Sequence, residues 1–498
     1  MRLLRVQVPN FRVLQNVDIT FEKDFFPSIF PLGSQNGGGK STLLQLIFGL
    51  LHCSTNPDRV DFLKNLLYGF KIYDHSSERI LLIIDILDGE KPIKLEFFIC
   101  DNSYIGDSIQ AIKAGIKDKN GFAFSMEKLE NVKNKISDFT KESKQLEKSL
   151  SRLEKVKRIE NDEQKIIHLK NEITELQKLG LLQESQLGDP LILSFGNSSM
   201  PSFEEVQNEI QQRLEYLASN IYQSNTERKQ IEQTLKEVLN FLQLNNWLYV
   251  CHYSADGDEA EEDILLCRID NIDITQTESF LKELSQKIFL AAPATQVFLF
   301  LSPKSRKLLF REQNEENDYY SQLKDAKSKL TGFFTYDFLA VYLLIESFKA
   351  ARDKDFRKAI QTGEYGNSYQ ELIKDLNLLL LNKKINLETD FSGVNFKLDK
   401  DDENIELYPE DLSHGELKRL SIYMWLKYYN IENAIVLMDE IEIAFHPDWQ
   451  YQIISDLKEW APSNQYILAT HSYELCQALT PAHVKELEPK LLKQNPSN

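Results

Sequence analysis

Cysteine is scarce in this chain and follows no recognisable arrangement. The five residues, Cys53, Cys100, Cys251, Cys267 and Cys476, are odd in number and widely scattered, with no CxxC spacing and no matching histidine cluster. This excludes a disulfide framework or a thiolate metal site, and predicts reduced core thiols in a cytoplasmic protein. The adjacent Cys251 and His252 read as packing residues rather than metal ligands. No run of about 18 apolar residues occurs, so neither a membrane span nor a membrane partner is expected. Met1–Pro9 alternates like a strand and lacks the apolar centre of a signal peptide. Positive charge is also short: 58 Lys and Arg stand against 76 Asp and Glu, for a formal net charge of −18. A surface coated for phosphate binding is therefore excluded, while a local basic groove is not. One compact basic run, Lys304, Arg306, Lys307 and Arg311, reads as a solvated loop in preference to a phosphate-backbone contact.

What is present is ordinary in bulk: 498 residues, 42% of them apolar and 27% charged, enough for two or three domains. The informative stretch is Ser34-Gln-Asn-Gly-Gly-Gly-Lys-Ser-Thr42, between the short apolar run Ile29–Leu32 and the amphipathic run Leu43–Leu51. A strand that passes through a glycine-rich loop into a helix aims several backbone N–H groups and the positive end of the helix dipole at one point, which makes an anion site. Gly37, Gly38, Gly39, Lys40, Ser41 and Thr42 are the candidate ATP-binding residues. Lys40 would reach the β- and γ-phosphates and the Ser41 hydroxyl would sit on Mg²⁺. The strict pattern asks for glycine five residues before Gly39; this chain has Ser34 there, with Gly33 just upstream.

A second pair of segments carries acid–base chemistry. Ala434–Met438 is fully apolar and runs into Asp439 and Glu440. A strand apolar at every position is buried on both faces, as in a parallel sheet, and the end of such a strand is where ligands bind. Asp439 would hold the Mg²⁺ shell opposite Ser41, and Glu440 would take a proton from attacking water. Tyr466–Thr470 is another apolar strand, followed at once by His471, read as a γ-phosphate sensor. His446 is assigned to structure. Leu412-Ser-His-Gly-Glu416 precedes a helix, so Ser413 and Gly415 form a further anion-facing N-terminus. One nucleotide does not need two such sites from one copy, so this one is expected to face ATP held by a second copy.

Around these segments, strands are expected at Leu3–Val8, Val17–Phe21, Ile80–Leu87, Ile93–Cys100, Trp247–Tyr253, Ile264–Ile269 and Val297–Leu301. Helices are expected over Ser279–Phe289, Phe333–Lys354 and Ser368–Leu381. Between the two α/β parts, Leu129, Val132, Ile136, Phe139, Ser143, Leu146, Leu150 and Leu153 recur at 3-4 spacing, a heptad seam. The phase breaks over Val156–Gln164, resumes at Ile166, and ends near Gly180 and Gly188-Asp-Pro. A second helix begins at Ser202, in capping-box spacing with Glu205. The expected division is residues 1–124 and 246–498 as one α/β head and residues 125–245 as a folded-back helical insertion.

Taken together these motifs resemble a known family. Ser413-His-Gly-Glu416 is similar to the signature motif of ABC-type ATPases, with His414 and Glu416 where glycine and glutamine are commoner. Asp439-Glu440 with Ile441–Trp449 resembles the Walker B and D-loop segment of the RecF, SMC and OLD branch, and Ala469-Thr-His-Ser472 its switch-histidine motif. Asn10-Phe-Arg12 matches the opening of that branch, in which an arginine, here Arg12, and the loop asparagine, here Asn36, approach phosphate. The fold implied is α/β, an ABC-type head with a P-loop sheet interrupted by a coiled-coil insertion. The resemblance also implies two heads sandwiching two nucleotides, in a homodimer or higher homo-oligomer. Gln296 is the candidate Q-loop residue. OLD-type nucleases carry a Toprim domain after the histidine motif, and Ser472–Asn498 is too short for one; no HNH-like or other nuclease constellation occurs. The chain is thus most similar to the PtuA ATPases of Septu systems and their retron-linked relatives, which implies a separate HNH nuclease partner resembling PtuB. A DNA-repair ATPase binding duplex DNA directly, and a nucleotide-gated scaffold with little turnover, are the alternatives.

Overall fold

The computed structural model describes residues 1–35, 37–72, 77–101, 122–178, 202–254, 262–272, 274–302, 305–306, 319–336, 339–380, 382–388, 393–398 and 405–487. The chain divides into two compact units, Met1–Tyr104 with Leu242–Asn498, and Ile105–Phe241.

The first unit is built on two six-stranded sheets. One is antiparallel throughout and combines β1 (Arg2–Phe11), β2 (Leu14–Thr20), β4 (Glu78–Asp88), β5 (Lys91–Asp101), β6 (Trp247–Ser254) and β7 (Glu262–Asp270) in the order β2-β1-β4-β5-β7-β6. The other is parallel and combines β3 (Ile29–Gly33), β8 (Ile288–Ala292), β9 (Phe333–Thr335), β13 (Ile435–Asp439), β14 (Gln465–Ala469) and β15 (Lys485–Glu486) in the order β15-β3-β14-β13-β8-β9. A small antiparallel sheet of β10 (Lys383–Leu387), β11 (Val394–Leu398) and β12 (Glu406–Leu407) completes the unit.

The parallel sheet shows why its strands are apolar at every position. Phe30, Leu32, Ile435, Leu437 and Ile467 face one core, shared with the helix Lys40–Cys53 and the antiparallel sheet. Ile29, Val436, Met438, Tyr466 and Leu468 face the other, shared with the helices His414–Tyr428 and Pro447–Trp460. The period of two sends alternate residues to opposite cores, so neither face tolerates a polar position. Full burial of each such side chain is worth roughly 1.5–3 kcal/mol. Gln465 ties the two sheets edgewise: Leu3 N–H donates to its Oε1 at 2.6 Å and its Nε2 donates to Leu3 O at 2.8 Å.

Register then decides what meets at the strand ends. Asp439 lies opposite Ala469, and Ala469 lies opposite Leu32. The carboxyl ends of β13, β14 and β3 therefore stand side by side, although their residues come from distant parts of the chain.

Three sequence expectations are corrected here. Val297–Leu301 is no strand: Ala294–Phe300 forms a 3-10 helix, and the strand lies upstream at β8. Val297 and Phe300, both fully buried, are three residues apart, the 3-10 repeat, which a five-residue apolar run does not distinguish from a strand. Phe333 opens a strand, β9, and the helix begins only at Leu339 and runs to Thr362. The helix before β8 spans Ile274–Lys287, so Phe289 belongs to the sheet. Of the basic run, Arg306 lies within the described residues, where it donates to Leu301 O at 2.8 Å and Asn65 O at 3.0 Å. It ties local backbone together and is not simply a solvated charge.

The second unit is helical. Phe122–Lys157 is followed by Asp162–Lys178, and Phe203 opens a helix that continues to Leu244. Arg152 pairs with Glu172 at 2.7 Å and Glu175 at 2.8 Å, while Arg213 pairs with Glu142 at 2.7 Å and Lys128 with Glu227 at 2.9 Å. The last two pairs run in opposite senses along the chain, so these helices are antiparallel. Leu146, Leu153, Leu169, Leu176, Val206, Ile210 and Leu217 form their common core. The break in heptad phase coincides with the turn between Lys157 and Asp162, where Asn161 Oδ1 accepts from Glu163 N–H at 3.0 Å. Ser202 and Glu205 form the expected capping box; Gly180 and Gly188-Asp-Pro lie outside the described residues. Among the described residues no helix is long and apolar enough to cross a membrane.

Candidate nucleotide site

The loop after β3 is shaped by its glycines. Gly37 and Gly39 have φ of 79° and 87°, left-handed values that an L side chain resists, and Gly39 is the residue before the helix Lys40–Cys53. A Cβ on Gly39 would lie 2.5 Å from Leu14 Cδ2, so the β1–β2 hairpin packs directly against the loop. Ser34, the departure from the strict pattern, has a use: its Oγ and its carbonyl oxygen each accept from Lys40 Nζ at 3.1 Å. The Lys40 ammonium is buried, which lowers its pKa, and the Glu442, Asp439 and Glu440 carboxylates act in the opposite sense. Thr42 follows half-buried on the same turn.

Ser41 Oγ donates to Asp439 Oδ1 at 3.0 Å, joining residues 398 apart in sequence. Asp439 is 2% exposed, and its other oxygen, Oδ2, is buried without a partner among the described residues. Burial pushes this carboxyl up to about 7, aided by Glu440 and Glu442 and opposed by the Ser41 hydroxyl and Lys40. A carboxylate oxygen left over beside a serine hydroxyl suits a hard cation. Among the described residues no group of three His, Cys, Asp or Glu could hold a metal by itself. Ser41 and Asp439 are the residues that would hold Mg²⁺ brought in with a nucleotide.

Glu440 has φ of 51° and turns the chain off the sheet, its N–H donating to Ala469 O at 2.9 Å. The following loop is held from the helix His414–Tyr428: Lys418 Nζ donates to Glu440 O at 2.9 Å and Ile443 O at 3.1 Å and lies 4.0 Å above the Tyr336 ring. Glu440 is among the residues that line a cavity of about 260 Å³, with Tyr336, His414 and Lys418. His471 is exposed, its Nδ1 3.4 Å from Lys40 Nζ. An ammonium has only donors, so Nδ1 is the acceptor and the ring proton resides on Nε2.

The remaining candidates are placed as follows. Ser413 is exposed and caps its own helix: its Oγ accepts from Glu416 N–H at 3.2 Å, and Glu416 Oε2 accepts from Ser413 N–H at 2.9 Å. Gly415 is buried; a Cβ there would lie 2.6 Å from Ala444 O, so its lack of a side chain lets this helix start touch the Glu440–Ala444 loop. Arg12 donates to Leu66 O at 2.7 Å and is not among the groups gathered at Lys40. Gln296 accepts from Gln45 Nε2, one helical turn past Ser41. Asn36 lies outside the described residues. His446 caps the helix Pro447–Trp460.

Two residues were absent from the sequence reading, Glu442 and Lys418. Each interrupts an apolar surround, Glu442 between Ile441 and Ile443 and Lys418 on the buried side of its helix. That was the available signal. Lys418→Met keeps the length and removes the ammonium from two carbonyls. It is expected to cost about 1–3 kcal/mol in a denaturant titration.

A match to the AAA ATPase domain family covers residues 1–476. The chain belongs to this family. Among curated relatives of this ATPase, the "Retron Vc95 probable ATPase" of Vibrio cholerae serotype O1 biovar El Tor is 41% identical over 52 residues, 10% of each chain. The "Retron Ec83 probable ATPase" of Escherichia coli is 41% identical over 46 residues, 9% of this chain and 8% of that one. The matched segments thus span a tenth or less of these relatives. Solved structures that align include the Smc head domain with an extended coiled coil bound to the C-terminal domain of ScpA from Pyrococcus furiosus. It is 11% identical with a TM-score of 0.28 over 96% of this chain and 91% of that one. The Smc head domain with a coiled coil and joint from Pyrococcus yayanosii gives 12% and 0.29, over 96% and 93%.

Proposed function

We propose that this ATPase-domain chain binds and hydrolyses ATP with Mg²⁺, assembles on nucleotide into a homodimer or higher homo-oligomer, and thereby regulates a separate HNH-type nuclease in cytoplasmic anti-phage defence. The hydrogen bond from Ser41 to Asp439 carries the reading, because it joins the glycine loop and the carboxylate strand in one site. Amides of Gly37, Gly38 and Gly39 and the Lys40 ammonium receive the phosphates. Lys40 exchanges Ser34 for phosphate oxygens, and His471 presents Nε2–H to the terminal phosphate. Bound Mg²⁺ would neutralise phosphate charge from Ser41 and Asp439. Glu440 accepts the proton of the attacking water, for which the adjoining cavity has room. Ser413, exposed at its helix start, closes over the nucleotide of the second copy.

The defence role draws support from the retron ATPases, whose matching segments are short. The test is Mg²⁺-dependent phosphate release by the purified chain, abolished by Lys40→Ala, together with co-purification of an HNH nuclease encoded beside it. A folded wild type that binds ATP and releases no phosphate would overturn hydrolysis and favour the scaffold reading.

A further inference from the structure

Glu442 lies in the loop that follows Asp439 and Glu440, yet it turns back into the protein while Ile443 and Ala444 face outward. It is 8% exposed, its Oε1 accepts from His471 N–H at 2.7 Å, and its Oε2 is buried with no partner among the described residues. A carboxylate in such surroundings is costly unless it is needed where it stands. Strand register explains the geometry: Asp439 is opposite Ala469, so the loop leaving β13 crosses the loop leaving β14 and their third and second residues meet. The bond reaches the backbone of the residue whose imidazole stands 3.4 Å from Lys40. The neighbouring Thr470 hydroxyl is engaged elsewhere, accepting from Ser472 N–H at 2.9 Å.

We propose that Glu442 is a positioning residue for ATP hydrolysis: by accepting the His471 amide proton it fixes the imidazole beside Lys40, where the terminal phosphate arrives. The inference rests on the ATPase reading. It assigns Glu442 no contact with nucleotide or water, and it requires an acceptor oxygen at that place. Glutamine supplies one on the same frame. Alanine does not, and aspartate withdraws it by one methylene.

Two measurements test this. Hydrogen exchange of the nucleotide-free chain should show the His471 amide protected in wild type and Glu442→Gln, and exchanging about tenfold faster in Glu442→Ala, the loss expected from one hydrogen bond. In turnover assays kcat should fall about tenfold or more in Glu442→Ala with the KM for ATP changed less than about threefold, Glu442→Asp should fall between, and Glu442→Gln should stay within about twofold of wild type. The double variant Glu442→Ala/His471→Ala should be no slower than His471→Ala alone, because the first residue acts through the second. Unchanged His471 protection in Glu442→Ala would overturn the proposal, as would additive losses in the double variant. If Glu442→Ala does not fold, the same comparisons made with Glu442→Asp decide the matter. An inactive wild-type chain would sink the ATPase reading and this role with it. An active wild type with an unaffected Glu442→Ala would sink this role alone.

Discussion

Replacing Glu440 with glutamine should lower ATP turnover by about 10²–10⁴ while leaving nucleotide affinity close to that of the parent chain. The amide has the shape of the carboxylate and cannot take a proton from water. The backbone of residue 440 is held independently of its side chain, through its N–H to Ala469 O and its carbonyl to Lys418, so the substitution leaves the loop in place. Blocked hydrolysis should trap the nucleotide-bound assembly, visible as a larger species by light scattering when ATP and Mg²⁺ are present. An unchanged rate in single-turnover measurements would remove Glu440 as the base.

Two variants that are each inactive, Lys40→Ala and Ser413→Arg, should recover activity when mixed. Lys40→Ala removes the cation that meets the phosphates. Ser413→Arg places a bulky cation at an exposed helix start that makes no hydrogen bond to the Lys40 loop of its own copy among the described residues. If two heads share each nucleotide, a mixed dimer has one site with both defects and one with neither. Random pairing of equal amounts makes half the dimers mixed, each with one sound site, so about a quarter of wild-type turnover should return. Mixed chains that co-assemble, shown by differently tagged copies, and still hydrolyse nothing would exclude the shared-site arrangement. Full activity of Ser413→Arg alone would exclude it as well.

The local elements around this candidate site were legible before any tertiary information, for a physical reason. Phosphate binding at a strand-to-helix turn needs glycine at left-handed positions and a cation at the helix start, and those requirements fall on neighbouring residues such as Gly39 and Lys40. The all-apolar strand ending in Asp439 likewise announces a doubly covered sheet. The heptad break near Val156 marked the place where the insertion folds back. Short apolar runs were less decisive: Val297–Leu301 satisfies a strand and a 3-10 turn equally, and only its packing, with Val297, Phe300 and Leu301 turned into one core, separates them.

By itself, then, the order of residues determined the glycine loop, the carboxylate strand and the helical insertion, because each is a local pattern of backbone propensity and burial. The parallel register of β3, β14 and β13 decided the rest. It brought Ser41 to Asp439, His471 to Lys40 and Glu442 to the His471 amide. Contacts between loops 29 to 431 residues apart depend on which strands lie adjacent and how they align, and no spacing within any one segment encodes that.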